Sequence, residues 1–422
     1  MFIRVHPWFK SYFLFVFAAW LLFLFSAPKP LASNEKTAPL ELTARDAILM
    51  SLENNKSLQI ERLNPQLSIL NEQKQRAAFD PALTGGFSFS ETENATGTTT
   101  DRTTGDLEIS KRLSSGAQVA ISLSEAGSDS SPAASRFSNR VGVSLKKPLF
   151  ENAGAGANLA ELRKAARDTQ ISKYELRDFT QALVAQVEKT YWDYALAARS
   201  MEIYEESLDL ADKQLEETKV MVEVGKKAEI DIVAAEAEVA SRKEALVRAK
   251  GELDTLRLKL LRLLNPGEGS FWERGITVKA PLAAPDVETG AAESHVEKAL
   301  QSRPDINQAK LSLEKDELEL VKTENGLLPD LNFILRAGRT GYADNLGGAF
   351  RADDARDLTV GLEYQYSFGN RDEKARFRQS IIQKDQAAAA IENLELLIQQ
   401  DVRIALVQTD SAREQIAAAK AA

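Results

Sequence analysis

The chain has 422 residues, and its 53 Lys and Arg stand against 62 Asp and Glu, which gives a formal net charge of −9. This acidic balance excludes a generally basic nucleic-acid-binding protein, so we predict no nucleic-acid partner. There is no Cys and there are only two His. Disulfide frameworks, Cys-ligated metals and thiol catalysis are therefore excluded, and histidine-based sites nearly so. We predict no enzymatic activity, no cofactor and no metal site.

The N-terminus has the features of a secretory signal. Arg4, His6 and Lys10 precede an almost wholly apolar run over residues 11–25. This run of about 15 residues falls short of the roughly 20 that a membrane-spanning helix needs. A signal peptide over residues 1–32 is therefore favoured over a membrane anchor. No later run is long enough for such a helix, so any membrane-spanning part would have to consist of strands.

The sequence contains an internal duplication. Residues 44–83 align with residues 292–331 at a constant offset of about 248, and each copy is a helical pattern that ends at a proline before a strand pattern. We predict a first repeat over residues 33–265, and a linker and second repeat over residues 266–422. The last helical pattern stops without a cap, as expected of a truncated second copy.

Long helical patterns dominate both repeats. In the first repeat, apolar residues step by three and four through Tyr194, Ala197 and Met201, and the same stepping returns after a break, which predicts a helical hairpin over residues 158–264. Many Ala residues on more than one face favour a packed wall of helices over a two-stranded rod. The second repeat is predicted to hold a helix over residues 292–327 and a long helix over residues 371–422.

Strand patterns lie between the helices, over residues 83–149 and 331–368. In the second copy, strict alternation places six apolar side chains on one face: Leu358, Val360, Leu362, Tyr364, Tyr366 and Phe368. Ribbons of about ten residues with one apolar face and long polar links are typical of outer-membrane strands, so we predict that this face contacts lipid. A soluble, half-buried sheet is the alternative that alternation alone leaves open.

The number of strands per chain is predicted as four or six, depending on whether Ser114-Ser115-Gly116 forms a tight turn. So few strands cannot enclose a pore, since even eight leave an interior filled by side chains. Open sheet edges are not tolerated in lipid. Several identical chains in a cyclic arrangement are therefore predicted to share one barrel.

Several short motifs occur in the order expected of one known family. They are residues 47–58, Arg303-Pro304-Asp305-Ile306, residues 79–83 with 327–331, Lys147-Pro148-Leu149-Phe150 followed by Gly154 and Gly156, and Val224-Gly225 through Asp231-Ile232-Val233. The chain also has the same overall order of signal, helix, strands, hairpin and second copy. On these motifs and this order, nearly the whole chain after the signal resembles the TolC family of outer-membrane efflux proteins.

This resemblance implies a mainly α fold with membrane β-structure and internal duplication. Long antiparallel α-helical hairpins would form a coiled-coil-like α-barrel, and the strands would contribute to a shared trimeric outer-membrane β-barrel. The implied function is a passive exit duct of a tripartite efflux pump or a type I secretion system, located in the outer membrane and extending into the periplasm. The implied partners are two further copies of the chain, outer-membrane lipid, a periplasmic adaptor and an inner-membrane transporter.

The resemblance also implies that the adaptor docks at the tip of the hairpin, at Gly225, Lys226, Lys227, Ala228, Glu229 and Ile230. Gly225 suits a tight turn because positive φ costs glycine little. The family usually has Ser or Thr where Ala228 stands, and Ala cannot cap a helix, so Asp231 is expected to complement the helix dipole instead. The charged tip residues are equally well interpreted as solvated surface charges.

A second functional class also requires a long hairpin, namely a periplasmic coiled-coil adaptor or scaffold protein. That class predicts one hairpin, no duplication and no lipid-facing alternation. The duplication and the strand pattern near Leu358 favour the channel.

Overall fold

The computed structural model describes residues 39–93, 95, 99–130, 136–267, 271–279 and 290–421. The predicted signal peptide over residues 1–32 lies outside them. The described residues divide into two compact units, drawn from Met1–Asn54 with Val187–Pro281 and from Asn55–Gln186 with Leu282–Ala422. These units differ from the predicted repeats, because each is assembled from segments that are distant in sequence.

The elements are numbered in chain order. The strands are β1 (Leu40–Leu42), β2 (Ala82–Glu93), β3 (Thr99–Arg112), β4 (Gln118–Ser130), β5 (Arg136–Pro148), β6 (Ile276–Val278), β7 (Asp330–Ala343) and β8 (Ala355–Gln365). The helices are α1 (Ala44–Asn54), α2 (Lys56–Glu61), α3 (Asn64–Arg76), α4 (Ala155–Asn158), α5 (Ala160–Glu223), α6 (Glu229–Leu264), α7 (Ala292–Ser302), α8 (Pro304–Asn325), α9 (Leu346–Arg351) and α10 (Arg371–Ala421). A 3₁₀ turn, Ala77–Phe79, follows α3.

The first unit has its core around a short parallel ladder between β1 and β6. Two tyrosines of α5 hold this ladder: Tyr191 donates its hydroxyl to the Leu42 carbonyl at 3.1 Å, and Tyr194 donates to the Ile276 carbonyl at 2.7 Å. Both rings are buried, so the apolar parts pack in the core while each hydroxyl finds an acceptor. Residues more than 200 positions apart in sequence are thereby joined.

The second unit is built on a six-stranded antiparallel sheet with the order β2-β3-β4-β5-β7-β8. The turn between β3 and β4 is tight: Gly116 has φ +86 and donates its N–H to the Leu113 carbonyl at 2.9 Å. A Cβ at this position would lie 2.2 Å from the carbonyl oxygen of Asn152. Ser114-Ser115-Gly116 therefore forms the tight turn, and the described residues contribute six strands to this sheet.

The strand region predicted over residues 331–368 contains two strands, as expected, but its predicted C-terminal end is wrong. The second strand, β8, ends at Gln365, which pairs with Asp330 at the start of β7. The next residue of β8 would face Pro329, which has no N–H to donate to a ladder. Tyr366 and Phe368 therefore lie beyond the strand, with their rings in edge-to-face contact at a centroid distance of 5.8 Å.

The helix predicted over residues 292–327 is also corrected. It consists of α7 and α8, because Arg303 has the extended angles φ −63 and ψ 136 and Pro304 starts the second helix. Proline disfavours a helical conformation in the residue before it and suits the first position of a helix, so the chain must bend here. The corresponding pattern in the first repeat is likewise broken into α1, α2 and α3.

The N-terminal part of α5 packs against α8 through a series of ion pairs within the second unit. Glu161 pairs with Lys322 at 2.7 Å, and Lys164 pairs with Glu319 at 2.7 Å. Further along, Arg167 pairs with Glu314 and Asp168 with Lys315. The paired positions rise along α5 from 161 to 167–168 and fall along α8 from 322 to 314–315, as expected of two antiparallel helices.

Within the described residues, none of the helices combines the length and the apolar composition that a membrane crossing requires.

Candidate functional sites

The strand register brings apolar side chains onto one face of the sheet. One continuous row crosses all six strands through directly paired positions, which share a face in antiparallel ladders. Its members are Leu83, Ile109, Ile121, Val143, Ala337 and Leu358. We call the large side chains of this face the apolar band; it comprises Leu83, Phe87, Phe89, Leu107, Ile109, Ile121, Val141, Val143, Leu358, Val360, Leu362 and Tyr364, all of them exposed.

Charged residues bound the apolar band at one end. Beyond Phe89 and Leu358, the same face carries the cross-strand pairs Glu91 with Asp101 and Arg339 with Arg356. Along β8 the band extends from Leu358 to Tyr364, which is roughly 20 Å at about 3.3 Å per residue. At a strand tilt of about 40°, this length corresponds to a height of about 15 Å, which fits within the roughly 25 Å apolar band of outer-membrane strands. The face is thus suited to contact with hydrocarbon.

The opposite face of the sheet, here called the polar face, carries ion pairs that connect β5 with β8 over the intervening β7. Arg140 and Asp357 form a bidentate pair, with Nη1 to Oδ1 at 2.5 Å and Nη2 to Oδ2 at 2.6 Å. Lys146 and Glu363 form a second pair at 2.9 Å. Such a surface is well solvated, so the two faces of one sheet suit opposite environments.

Gly338 makes the closer of these pairs possible. It lies on β7 directly between the two strands, where a Cβ would stand 2.9 Å from Arg140 Nη2 and 3.1 Å from Asp357 Oδ1. The sequence analysis missed this arrangement. No local sequence pattern indicates this ion pair, because Arg140 and Asp357 are 217 positions apart and only the strand register brings them together.

The second candidate site is the turn that joins α5 to α6, within the first unit. Gly225 has φ +74 and donates its N–H to the Val222 carbonyl at 2.9 Å, while the Lys226 N–H is donated to the Met221 carbonyl at 2.8 Å. These two bonds form a Schellman motif, which satisfies carbonyls at the helix end and depends on a left-handed residue. The turn is therefore defined by its own backbone.

The return helix begins without a side-chain acceptor at its N-cap, which is Ala228. Asp231 partly compensates: its Oδ2 accepts the Ala228 N–H at 3.0 Å, which is one half of a capping box. Together with Glu229 it also places negative charge in the first turn, where it complements the helix dipole. The role expected of Asp231 thus includes a direct hydrogen bond.

All six residues predicted at the tip are exposed and contiguous: Gly225, Lys226, Lys227 and Ala228 form the turn, and Glu229 and Ile230 begin α6. The Lys227 amine lies 3.4 Å from the Thr218 hydroxyl. Ile230 is 70% exposed, and Val224 beside it is 61% exposed. The tip therefore presents apolar side chains among charges. Of the six residues predicted to face lipid, the apolar band retains Leu358, Val360, Leu362 and Tyr364.

Within the described part of the chain, no group of three or more His, Cys, Asp or Glu residues is arranged to hold a metal ion.

Comparison with known proteins defines the family. Residues 47–266 and 295–422 match the family model described as outer membrane efflux protein. The match covers most of the chain, which therefore belongs to this family. The two matched segments correspond to the two copies of the internal duplication.

Individual relatives agree with this assignment. The chain is 23% identical over 384 residues to outer membrane efflux protein BepC of Brucella suis, a match that covers 90% of this chain and 73% of BepC. Over 127 residues it is 28% identical to alkaline protease secretion protein AprF of Pseudomonas aeruginosa, covering 30% of this chain and 26% of AprF. The fold is similar to that of the Campylobacter jejuni CmeC outer membrane channel, with a TM-score of 0.66, 16% identity, and coverage of 94% of this chain and 81% of CmeC.

The family assignment confirms the resemblance to the TolC family and the mainly helical, duplicated fold with a sheet. It also confirms the outer-membrane localisation and a transport role in place of an enzymatic one, since the matched family is that of outer membrane efflux proteins. The alternative of a periplasmic adaptor or scaffold is thereby disfavoured.

Proposed function

We propose that this protein is the passive outer-membrane exit duct of a tripartite efflux pump or a type I secretion system. The observation that carries the proposal is the apolar band on one face of the sheet, in a chain of the outer membrane efflux protein family. Such a duct performs no bond chemistry. Its task is to offer a hydrated path across the outer membrane, for which an apolar outer face and a polar inner face are needed.

In this proposal the protein acts as a homotrimer. A single six-stranded sheet has two open edges, and unpaired backbone groups cannot remain in hydrocarbon. Cyclic association of identical chains pairs these edges and turns the polar face towards a common lumen. The helices would extend into the periplasm and continue the path there.

The hairpin tip is the proposed docking site for a periplasmic adaptor, which links the duct to an energy-supplying inner-membrane transporter. Gly225, Lys226, Lys227, Ala228, Glu229 and Ile230 form this site. The Schellman turn keeps their backbone ordered before binding, which lowers the entropic cost of association. Ile230 supplies exposed apolar area, and Lys226 and Glu229 supply charges that orient a partner.

Both transport systems fit the observations. BepC is named as an efflux protein, and AprF is named as a protein for alkaline protease secretion. Either system requires the same passive duct, so the proposal holds for the component and leaves its cargo open between small molecules and a protein.

The assembly is tested on protein extracted from outer membranes with mild detergent. We expect a trimer by native mass spectrometry and discrete conductance steps after insertion into planar lipid bilayers. Recovery of a soluble monomer from the periplasmic fraction would contradict the duct and favour the adaptor or scaffold alternative.

Docking is tested with a photoreactive amino acid in place of Ile230 in living cells. We expect a covalent adduct that mass spectrometry identifies as a periplasmic adaptor of the same cell. The matched control places the photoreactive residue at Lys213, which is exposed on α5 away from the turn and should give no such adduct. Equal adducts at both positions would reject the tip as the docking site.

A further inference from the structure

The first turns of α10 carry a surface groove on the side that faces away from α8. The hydroxyls of Ser380 on α10 and Thr323 on α8 lie 2.8 Å apart and are buried, which fixes the packed side of α10. At 3.6 residues per turn, Arg378 and Ile382 point roughly opposite to Ser380. The groove between them, here called the basic groove, has a volume of about 630 Å³. Its lining consists of Arg371, Lys374, Arg378 and Ile382 together with one Ala and three Gln residues.

The basic groove concentrates positive charge on one side of the helix. Arg371, Lys374 and Arg378 recur at intervals of three and four residues, within about 11 Å along the helix axis, and all three are exposed. Within the described residues neither arginine forms an ion pair, and Lys374 donates to the Gly369 carbonyl at 3.0 Å. Among the described residues that line the groove, none is acidic. The mutual repulsion of the three cations is therefore relieved by an anion bound from outside.

The acidic residues in the first turn of α10 do not neutralise this groove. Asp372 pairs with Arg376 at 2.9 Å, outside the groove lining. Glu373 turns towards α8, where its Oε2 lies 2.9 Å from the position that a Cβ of Gly326 would occupy. These two carboxylates complement the helix dipole, so the charge of the basic groove comes from its side chains alone.

The basic groove adjoins the end of the apolar band. Residues 366–370 lead from the end of β8 into α10, and among them Phe368 is 97% exposed and contacts the ring of Tyr366. Exposed aromatic rings next to an apolar band are typical of the membrane interface of outer-membrane strands. The headgroup region beyond the hydrocarbon is roughly 5–8 Å deep on each side of a bilayer. The first turns of α10 reach this depth, and long basic side chains extend towards the interface.

We propose that the basic groove binds the phosphate of an anionic phospholipid headgroup in the periplasmic leaflet of the outer membrane. Arg371 and Arg378 supply planar guanidinium groups that can each donate two hydrogen bonds to phosphate oxygens, and Lys374 adds a third charge. Phe368 contacts the acyl side of the same lipid layer. This inference rests on the proposed function, which places the sheet in the membrane, and adds a lipid ligand that fixes the depth of the sheet.

Two other occupants present the same face with a partner. A second copy of this chain would have to bring acidic side chains to the groove, whereas lipid phosphates are present wherever the adjoining apolar band meets a bilayer. Inorganic phosphate offers the same oxygens without an apolar part, which leaves the exposed ring of Phe368 beside the groove without a role. Charge and continuity with the apolar band together favour the lipid.

Native mass spectrometry of the protein extracted in mild detergent tests the lipid. The probe is an equimolar mixture of phosphatidylglycerol and phosphatidylcholine with identical acyl chains, and the readout is the ratio of the two bound lipids. We expect wild type to retain phosphatidylglycerol preferentially. The triple variant Arg371→Gln, Lys374→Gln and Arg378→Gln should lower this preference at least about tenfold, since one basic residue near a membrane surface contributes about fivefold.

Two further variants keep the test independent of folding. Arg403→Gln, Arg413→Gln and Lys420→Gln remove the same charge from a distant part of α10 and should leave the lipid preference at the wild-type value. Arg371→Lys with Arg378→Lys retains the charge of the groove and should keep most of the preference, because a phosphate also accepts hydrogen bonds from ammonium groups.

The remaining outcomes contradict the lipid site in distinguishable ways. An unchanged lipid preference in the triple groove variant would overturn the proposal. Complete displacement of phosphatidylglycerol by inorganic phosphate would also overturn it, since the site would then belong to the free ion. Loss of oligomers with an unchanged lipid preference would assign the groove to a second copy instead. A protein that does not enter the outer membrane would reject the proposed function itself.

Discussion

At the hairpin turn, one residue's backbone conformation determines how α5 is joined to α6. Gly225 has φ +74, and a Cβ there would meet no other atom within 4 Å. The cost of Gly225→Ala is therefore conformational and not steric, and we expect about 1 kcal/mol of local destabilisation. Hydrogen–deuterium exchange should show faster exchange at the turn amides, beginning with Lys226.

The matched control for this change is Gly251→Ala. Gly251 lies inside α6, also with no atom within 4 Å of a Cβ, and its φ is helical. Alanine should stabilise the helix there by roughly 0.5–1 kcal/mol and slow exchange. Equal effects at both positions would show that the left-handed turn is not what Gly225 provides.

A pH-dependent interaction lies at the junction of α7 and α8. Arg303 Nη2 donates to Asp305 Oδ2 at 2.7 Å, and the Ile306 N–H donates to Asp305 Oδ1 at 2.8 Å. Burial alone would raise the pKa of the Asp305 carboxyl, but these hydrogen bonds outweigh burial and hold that pKa below its ordinary value. A lowered pKa in the folded state means that the ionised carboxylate stabilises the fold.

From this we predict that Asp305→Asn lowers stability at pH 7 by about 1 kcal/mol, a value reduced by partial solvent exposure. The stabilisation is complete above the unfolded pKa of about 3.9 and is lost as pH falls through the lower folded pKa. The gap between wild type and variant should therefore close below about pH 4. Thermal unfolding across this pH range measures it, and a gap that stays constant would contradict the assignment.

At the scale of elements, β8 offers a direct comparison of the two faces of the sheet. Leu362 lies on the apolar band and Thr359 on the polar face, and both are exposed. In a membrane, Leu362→Arg should cost about 2–4 kcal/mol and reduce the amount of protein in the outer membrane, whereas Thr359→Arg should change it little. Quantitative fractionation of cells measures the amount of each variant in the outer membrane. Equal tolerance of both substitutions would favour the soluble half-buried sheet.

At the scale of the whole chain, contacts between distant residues define the first unit. Tyr194 of α5 reaches the Ile276 carbonyl on β6 across 82 positions of sequence. Tyr194→Phe should cost about 1 kcal/mol and accelerate hydrogen exchange over residues 276–278, because a buried hydrogen bond is lost. Tyr204→Phe is the control, since that ring is 38% exposed on the same helix and should have no effect on β6.

A structural feature of this protein could be predicted from the sequence when the interactions that cause it are short in range along the chain. The heptad stepping of α5 and the alternation of β8 depend on neighbours within a few residues, so the sequence indicates them directly. The break at Arg303 was also signalled locally by Pro304, although a continuous helix was expected there. The end of β8 at Gln365 was not signalled locally, because it is caused by Pro329, which directly precedes the partner strand β7 and lies more than 30 residues earlier.

By itself, the sequence determined the duplication, the long helices, the amphipathic strands and the turn at Gly225, since periodicity, proline and glycine act through local backbone geometry. Only the tertiary structure decided the six-strand count, the pairing of Arg140 with Asp357 over Gly338, and the ladder of β1 with β6. These features depend on register between strands that are far apart in the chain. Register is set when one face of a sheet must match its neighbours, and this requirement arises only once the strands are brought together.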